Sequence, residues 1–290
     1  MTANDPSQIV YVDTPKPESE EGKAGGFFRQ SWGTQLTELQ RYAANGDENR
    51  ILFAEGEGAI PSASFLLEKG VKLFFGVGHE TTGATTYTEQ EIRNLLEWVD
   101  ANPEEHHAVI DATSLLGAMP WSKDLVDGVL TKCNMFMPFQ KAIGGISGYF
   151  IVSLTKPALA RINANQKDPA WAIPRQLKIA VPRDAKAPLS SEKTTDLGPI
   201  YDAEKDQMLG GIINTFSTLA FAETTFAVLR NERMIGDVYT LNARSKANRD
   251  LVNEWIDNSE LFELGVSNTD SRGAAVTLLK VTDSDITDAD

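Results

Sequence analysis

The chain has 290 residues, 41% apolar and 23% charged, with 22 glycines and 13 prolines, a composition that excludes disorder, a fibrous repeat and a small stapled scaffold. Its 27 Lys and Arg stand against 41 Asp and Glu for a net charge of −14. The cations are scattered singly, which excludes a nucleic-acid partner, because a polynucleotide backbone needs clustered positive charge. A small anion held by backbone N–H groups and one or two fixed cations stays compatible with that charge. Cys133 is the single cysteine and cannot close an intramolecular disulfide, and His79, His106 and His107 lack a zinc-ligand spacing, so no metal site is expected. No basic segment leads into an apolar run at the start, and no apolar stretch approaches the roughly 18–20 residues of a membrane span. A cytoplasmic protein away from membranes is expected.

In chain order, Ile9–Val12 reads as a short strand, followed by a Pro-, Glu- and Gly-rich loop over Pro15 to Gly26. Leu36, Leu39 and Tyr42 recur at helical spacing between Thr34 and Ala44, and Asn45-Gly46 ends that helix. Ile51–Ala54 and Val71–Val77 read as strands, with a short helix near Ser62–Lys69 between them. Thr88 and Glu91 have the spacing of a capping box, ahead of an apolar face of Ile92, Leu95, Leu96 and Val99; the helix should stop at Asn102-Pro103. His107–Asp111, Val126–Cys133 and Tyr149–Leu154 are expected strands, and Thr155 caps a helix with Pro157 in its first turn. The polar, Pro-rich stretch from Arg161 to about Met208 is too long for a plain connection and reads as a functional excursion. Helices near Phe216–Arg230 and Ser245–Asp257 and a strand over Ala275–Val281 complete the chain. Strands alternating with helices predict an α/β fold with a mostly parallel sheet between helical layers.

Open α/β sheets bind ligands beyond the carboxyl ends of their strands. Lys141, in Phe139-Gln140-Lys141-Ala142-Ile143-Gly144-Gly145, falls there, and a partly desolvated lysine can attack an aldehyde to form a Schiff base; the alternative is a surface turn lysine. Asp111 ends an apolar strand thirty residues earlier, a separation of one crossover, so both can face one edge. A carboxylate there either pairs with a protonated pyridine nitrogen or caps the next turn. His79-Glu80-Thr81-Thr82-Gly83 closes another strand with hydroxyls able to donate to a phenolate; a dinucleotide loop is the rival reading, but Thr81 stands where its third glycine belongs. Asn214 and Thr215 precede a helix, as ordinary caps or as phosphate ligands. Phe27, Phe28 and Trp32 are core or ring-stacking aromatics. Met135, Phe136 and Met137 beside Cys133 suggest an inert, buried thiol, and His106 and His107, after Pro103-Glu104-Glu105, are expected in solvent.

The ordered set HETTG, DATS, FQKAIGG and NTFST, within Phe27 to Val281, resembles the class V aminotransferases, fold type I pyridoxal-phosphate enzymes, and among them the phosphoserine aminotransferase family. The resemblance implies a three-layer αβα architecture, with a cofactor-binding large domain over 1–232 and part of a smaller α+β C-terminal domain over 233–290. It implies pyridoxal 5′-phosphate on Lys141, whose amine then moves the proton between the substrate α-carbon and the cofactor. Asp111 would pair with the pyridine nitrogen, Thr81 with the phenolic oxygen, Thr113 would support the same site, Phe28 would stack on the ring and Gln140 would reach the phosphate. Asn214 and Thr215 would close the phosphate site of a neighbouring subunit, which implies a homodimer with shared sites acting on small amino and 2-oxo acids. Transfer between phosphoserine and 2-oxoglutarate is the expected reaction. Serine– or alanine–glyoxylate transamination is the alternative, as is a shortened, non-catalytic paralogue. His79 replaces a common Asn of the family. The family's N-terminal phosphate turn and the later part of its C-terminal domain have no counterpart here, and Arg272 is the nearest substitute for its carboxylate-binding arginine.

Overall fold

A computed structural model describes residues 9–13, 51–53, 60–81, 83–167, 201–202, 207–208 and 217–282. Its centre is a six-stranded sheet in the order β2-β1-β3-β6-β7-β8. The members are β1 (Ile9–Asp13), β2 (Ile51–Phe53), β3 (Val71–Val77), β6 (His107–Asp111), β7 (Asn134–Pro138) and β8 (Phe150–Ser153). All neighbours are parallel except β7 and β8. Two short strands, β4 (His79–Glu80) and β5 (Thr85–Thr86), form a hairpin directly after β3. The expected mostly parallel α/β sheet with flanking helices is what the chain forms.

The helices follow the local chemistry. Helix α1 (Ala63–Glu68) starts at Ser62, whose hydroxyl accepts from the Phe65 N–H. Helix α2 (Glu89–Ala101) carries the complete capping box: Thr88 Oγ1 accepts from the Glu91 N–H, and the Glu91 carboxylate accepts from the Thr88 N–H. Its apolar stripe of Ile92, Leu95, Leu96, Trp98 and Val99 is buried with Phe74, Ile110 and Met135 of the sheet. At about 1.5–3 kcal/mol for each large side chain, that stripe outweighs what the cap contributes.

Of Val126–Cys133, expected as a strand, all but the extended C-cap residue Cys133 lies in helix α3 (Lys123–Lys132), and the strand follows at Asn134. Leu125, Val126 and Val129 are the buried positions, a spacing of one and four that suits a helical face and scatters across a strand. Helix α4 (Lys156–Lys167) begins after Thr155, whose hydroxyl accepts from the Ala158 N–H, and runs six residues past Arg161, the start of the expected excursion. The rest of that excursion lies outside the described residues apart from a short hairpin of β9 (Tyr201–Asp202) and β10 (Gln207–Met208). The expected Thr34–Ala44 helix also lies outside them.

Helix α5 (Thr218–Met234) ends at a turn with Gly236 at φ +104°, and α6 (Val238–Asp257) follows. The expected boundary after residue 232 falls in the last turn of α5. Beyond α6, β11 (Phe262–Leu264) pairs with β12 (Leu279–Val281), so the closing strand is shorter than Ala275–Val281 and its partner lies upstream.

His106 and His107 are buried, contrary to the expected exposure. The His106 ring stacks on Trp98 with centroids 4.8 Å apart, and its Nδ1 bonds the Trp98 carbonyl at 2.8 Å. His107 is the first residue of β6, in register with Leu73. The acidic loop thus ends one residue earlier than its composition suggests. Cys133 is buried, and burial pushes its thiol up to about 12, as expected of an inert cysteine.

Candidate functional site

Three adjacent parallel strands, β3, β6 and β7, end at one edge of the sheet. Val77 of β3 lies opposite Asp111 of β6, and Asp111 lies opposite Phe136 of β7. The Gly78 N–H continues the ladder to the Asp111 carbonyl at 3.0 Å, and the Ala112 N–H reaches the Phe136 carbonyl at 2.8 Å. The three segments singled out in the sequence leave the sheet from these ends, so Thr81, Asp111, Thr113, Gln140 and Lys141 all stand at or just past one carboxyl edge.

Asp111 is half-buried. Its Oδ1 accepts from the Thr113 N–H at 2.9 Å and from the Thr113 hydroxyl. These two donors orient the carboxylate and leave Oδ2 without a hydrogen bond among the described residues. Asp111 thus caps its own turn with Oδ1, as the second of the two sequence readings expects.

Lys141 follows β7 in a tight loop. The Gly144 N–H reaches the Lys141 carbonyl at 2.9 Å, the Gly145 N–H the Phe139 carbonyl at 2.7 Å, and the Phe139 N–H the Tyr149 carbonyl at 3.3 Å. Gly144 sits at φ +76°, a conformation that suits glycine alone among common residues. Gln140 and Lys141 are exposed, so Lys141 has the surface-turn placement of the alternative reading and not the partial desolvation expected of it, and its amine makes no hydrogen bond or salt bridge to a described residue. Behind the loop, Gly117 at φ +81° admits the side chains of Leu241 and Ala142, so a Cβ there would meet both.

Thr81 belongs to the turn of the β4–β5 hairpin. Glu80 is buried, and its carboxylate accepts from the Gly83 N–H at 2.6 Å, while the Thr86 hydroxyl donates to the Gly78 carbonyl at 2.7 Å. Ala84 in the same turn is at φ +54°. Gly76 and Gly78, the glycines of the rival dinucleotide reading, are packing positions: a Cβ would run into Tyr87 at the first and Leu115 at the second.

His79 is buried at the hairpin base and held down at about 4, first by burial and also by the Lys141 charge; the carbonyls of His79 and Glu80 oppose the shift. The ring is therefore neutral, and the Lys141 ammonium lies within its electrostatic reach. This residue carries no sequence signal beyond its place in HETTG. Arg272 does not present its guanidinium to the edge, because Nε donates to the Val266 carbonyl at 2.9 Å. Phe28, Asn214 and Thr215 lie outside the described residues. Among the described residues there is no group of three metal-ligating side chains and no helix long and apolar enough to cross a membrane.

A mostly parallel sheet with flanking helices is the fold that the chain shares with solved fold type I aminotransferase structures. Three solved structures carry the comparison. Alanine–glyoxylate aminotransferase from Nostoc sp. superposes with a TM-score of 0.63 over 98% of this chain and 62% of its own, at 13% identity. Ureidoglycine–glyoxylate aminotransferase from Bacillus subtilis gives a TM-score of 0.60 over 98% and 61%, also at 13% identity. Phosphoserine aminotransferase from Cytophaga hutchinsonii gives 0.55 over 97% and 64%, again at 13% identity. The chain thus spans between 61% and 64% of the length of these structures. No protein-family model and no curated protein matches the chain.

Proposed function

We propose that the chain carries the cofactor-binding part of a pyridoxal-phosphate-dependent aminotransferase, with Lys141 as the residue that holds the cofactor. The observation that carries this reading is the meeting of Lys141 and Asp111 at one sheet edge, from strands that are neighbours in space and thirty residues apart in sequence. The residues fit the group. Among the described residues the Lys141 amine meets no competing acid, which leaves it available to an aldehyde, and the carboxylate oriented by Thr113 has one oxygen left for a protonated ring nitrogen. When bound, pyridoxal phosphate supplies an electron sink for charge developing on a substrate α-carbon.

Each residue has a distinct task in this reading. Asp111 would keep the ring nitrogen protonated, and Thr113 fixes the carboxylate that would do so. Thr81 donates to the phenolic oxygen, and the Glu80 carboxylate holds the turn that presents it. The Lys141 amine would be the general base and acid that takes the substrate α-proton and returns it. Gln140 reaches the phosphate. Phe28, Asn214 and Thr215 are assigned from the resemblance alone, as ring-stacking and phosphate residues, the last two across a homodimer. Phosphoserine and 2-oxoglutarate are the proposed substrates, with serine or alanine and glyoxylate as the alternative pair, in a cytoplasmic setting.

Protein supplied with pyridoxal phosphate is expected to gain an absorbance band at about 410–430 nm, the signature of the lysine-bound form, and Lys141→Ala is expected to abolish it. Absence of the band in the unaltered chain refutes the cofactor assignment. Addition of phosphoserine, serine, alanine or glutamate to separate samples identifies the amino donor as the one that bleaches it. A band that none of them bleaches favours the non-catalytic alternative.

A further inference from the structure

The β4–β5 hairpin that presents Thr81 is held from below by a distant part of the chain. Residues Arg272 to Ala275, nearly two hundred positions later, run beside it. Arg272 forms an antiparallel bridge with Thr85. The Gly273 N–H donates to the Ala84 carbonyl at 2.8 Å, and the Ala275 N–H donates to His79 Nε2 at 3.3 Å. Gly273 is buried, and a Cβ there would fall inside the His79 imidazole, so the glycine is what lets the two segments meet.

The segment is tied on its other side as well. Arg249 of α6 donates to the Arg272 carbonyl at 3.0 Å, and the Arg272 guanidinium turns back to the Val266 carbonyl. The Arg272–Ala275 segment therefore touches both ends of the Thr81 turn, at His79 before it and at Ala84 and Thr85 after it.

We propose that His79 is a positioning residue: by accepting the Ala275 N–H it locks the Arg272–Ala275 segment to the hairpin that presents Thr81, coupling occupancy of the Lys141 site to the order of that segment. The inference rests on the cofactor reading above. His79 does this as a neutral ring whose Nε2 lone pair takes the N–H, which leaves the proton on Nδ1, a buried atom with no hydrogen-bond partner among the described residues. A protonated ring has no lone pair to offer. Because coupling between two sites is reciprocal, a ligand that orders the turn must slow opening of the segment, and loosening the segment must weaken the ligand by the same factor.

The test is hydrogen–deuterium exchange of the 272–276 backbone amides in the full chain, with and without pyridoxal phosphate. Lys141-dependent absorbance is read on the same samples. In the unaltered protein the cofactor is expected to slow exchange there about tenfold. His79→Ala and Ala275→Pro, which remove the acceptor and the donor separately, are expected to abolish that cofactor dependence and to weaken cofactor binding by the same factor. His79→Gln, which keeps an acceptor near Nε2, is expected to restore part of both. A purely structural histidine would speed exchange in the variants while leaving the cofactor effect intact. Bound cofactor with no change at 272–276, or an effect that survives in both variants, overturns this inference and leaves the cofactor reading standing. No Lys141-dependent band in the unaltered chain overturns both.

Discussion

At the scale of single residues, the site depends on small groups held by neighbours. Thr113 occupies one oxygen of Asp111 and Glu80 closes the turn that presents Thr81, so both candidate ligand groups are oriented before anything binds. Two of the three buried histidines, His79 and His107, give acid sensitivity. His79 stands at about 4 through burial, and His107 at about 4 through burial and then the Arg161 charge, against an ordinary 6.5 for each. The folded state thus binds fewer protons than the unfolded chain between those values. Their contribution is fully present above pH 6.5 and is lost as the pH falls toward 4. For His79 alone the loss is roughly 3 kcal/mol. Urea unfolding at pH 7 and pH 5 is expected to show the drop, and His79→Gln should remove about half of it, His107 supplying the rest; equal stability at both pH values would contradict the burial of a neutral ring.

At the scale of elements, buried amides join what the sheet leaves apart. Asn134, the first residue of β7, donates from Nδ2 to the Ala108 carbonyl at 3.0 Å, and its Oδ1 accepts from the Thr155 N–H at 2.9 Å. One side chain thereby links β6, β7 and the start of α4. Asn134→Ala strands a buried carbonyl and a helix-capping N–H, a cost of roughly 2–3 kcal/mol; chemical denaturation should show it, with Cys133 turning reactive to thiol reagents at lower denaturant. A neutral result would mean that water replaces the amide. The capping box at Thr88 and the stripe from Ile92 to Val99 were legible beforehand, because cap and face are set by residues within one element. Helix α3 was not: Val126, Leu130 and Cys133 have the β-branched and apolar character of a strand, and the burial that makes it a helix comes from α2 and the sheet, far along the chain.

At the scale of the whole molecule, the acidic surface and the apolar faces oppose each other. Helix α5 exposes Leu219, Phe221, Phe226, Leu229 and Met234, with Phe226 at 70%, more apolar surface along one helix than a monomer ordinarily shows to water. The proposed second copy would cover it, against the repulsion of two chains of charge −14. Sedimentation is expected to show a dimer that tightens as salt screens that repulsion, and Phe226→Glu should yield monomer with an unchanged circular dichroism spectrum. A native monomer at all salt concentrations would remove both the dimer and the shared site.

Composition and motif order by themselves determined the α/β class, the absence of a nucleic-acid signature, most strand positions and the segments that could carry chemistry. These are properties of short stretches, and short stretches are what a sequence states directly. Tertiary structure alone decided that Thr81, Asp111 and Lys141 share one edge, since that follows from the β3-β6-β7 order and register. It also decided that His106 and His107 are buried, that the Arg272 guanidinium is spent on a backbone carbonyl, and that Gly273 and Ala275 meet His79. Apart from the Arg272 bond, which closes a loop six residues long, these depend on how separate elements pack, where local spacing carries no information and the whole chain chooses the neighbours.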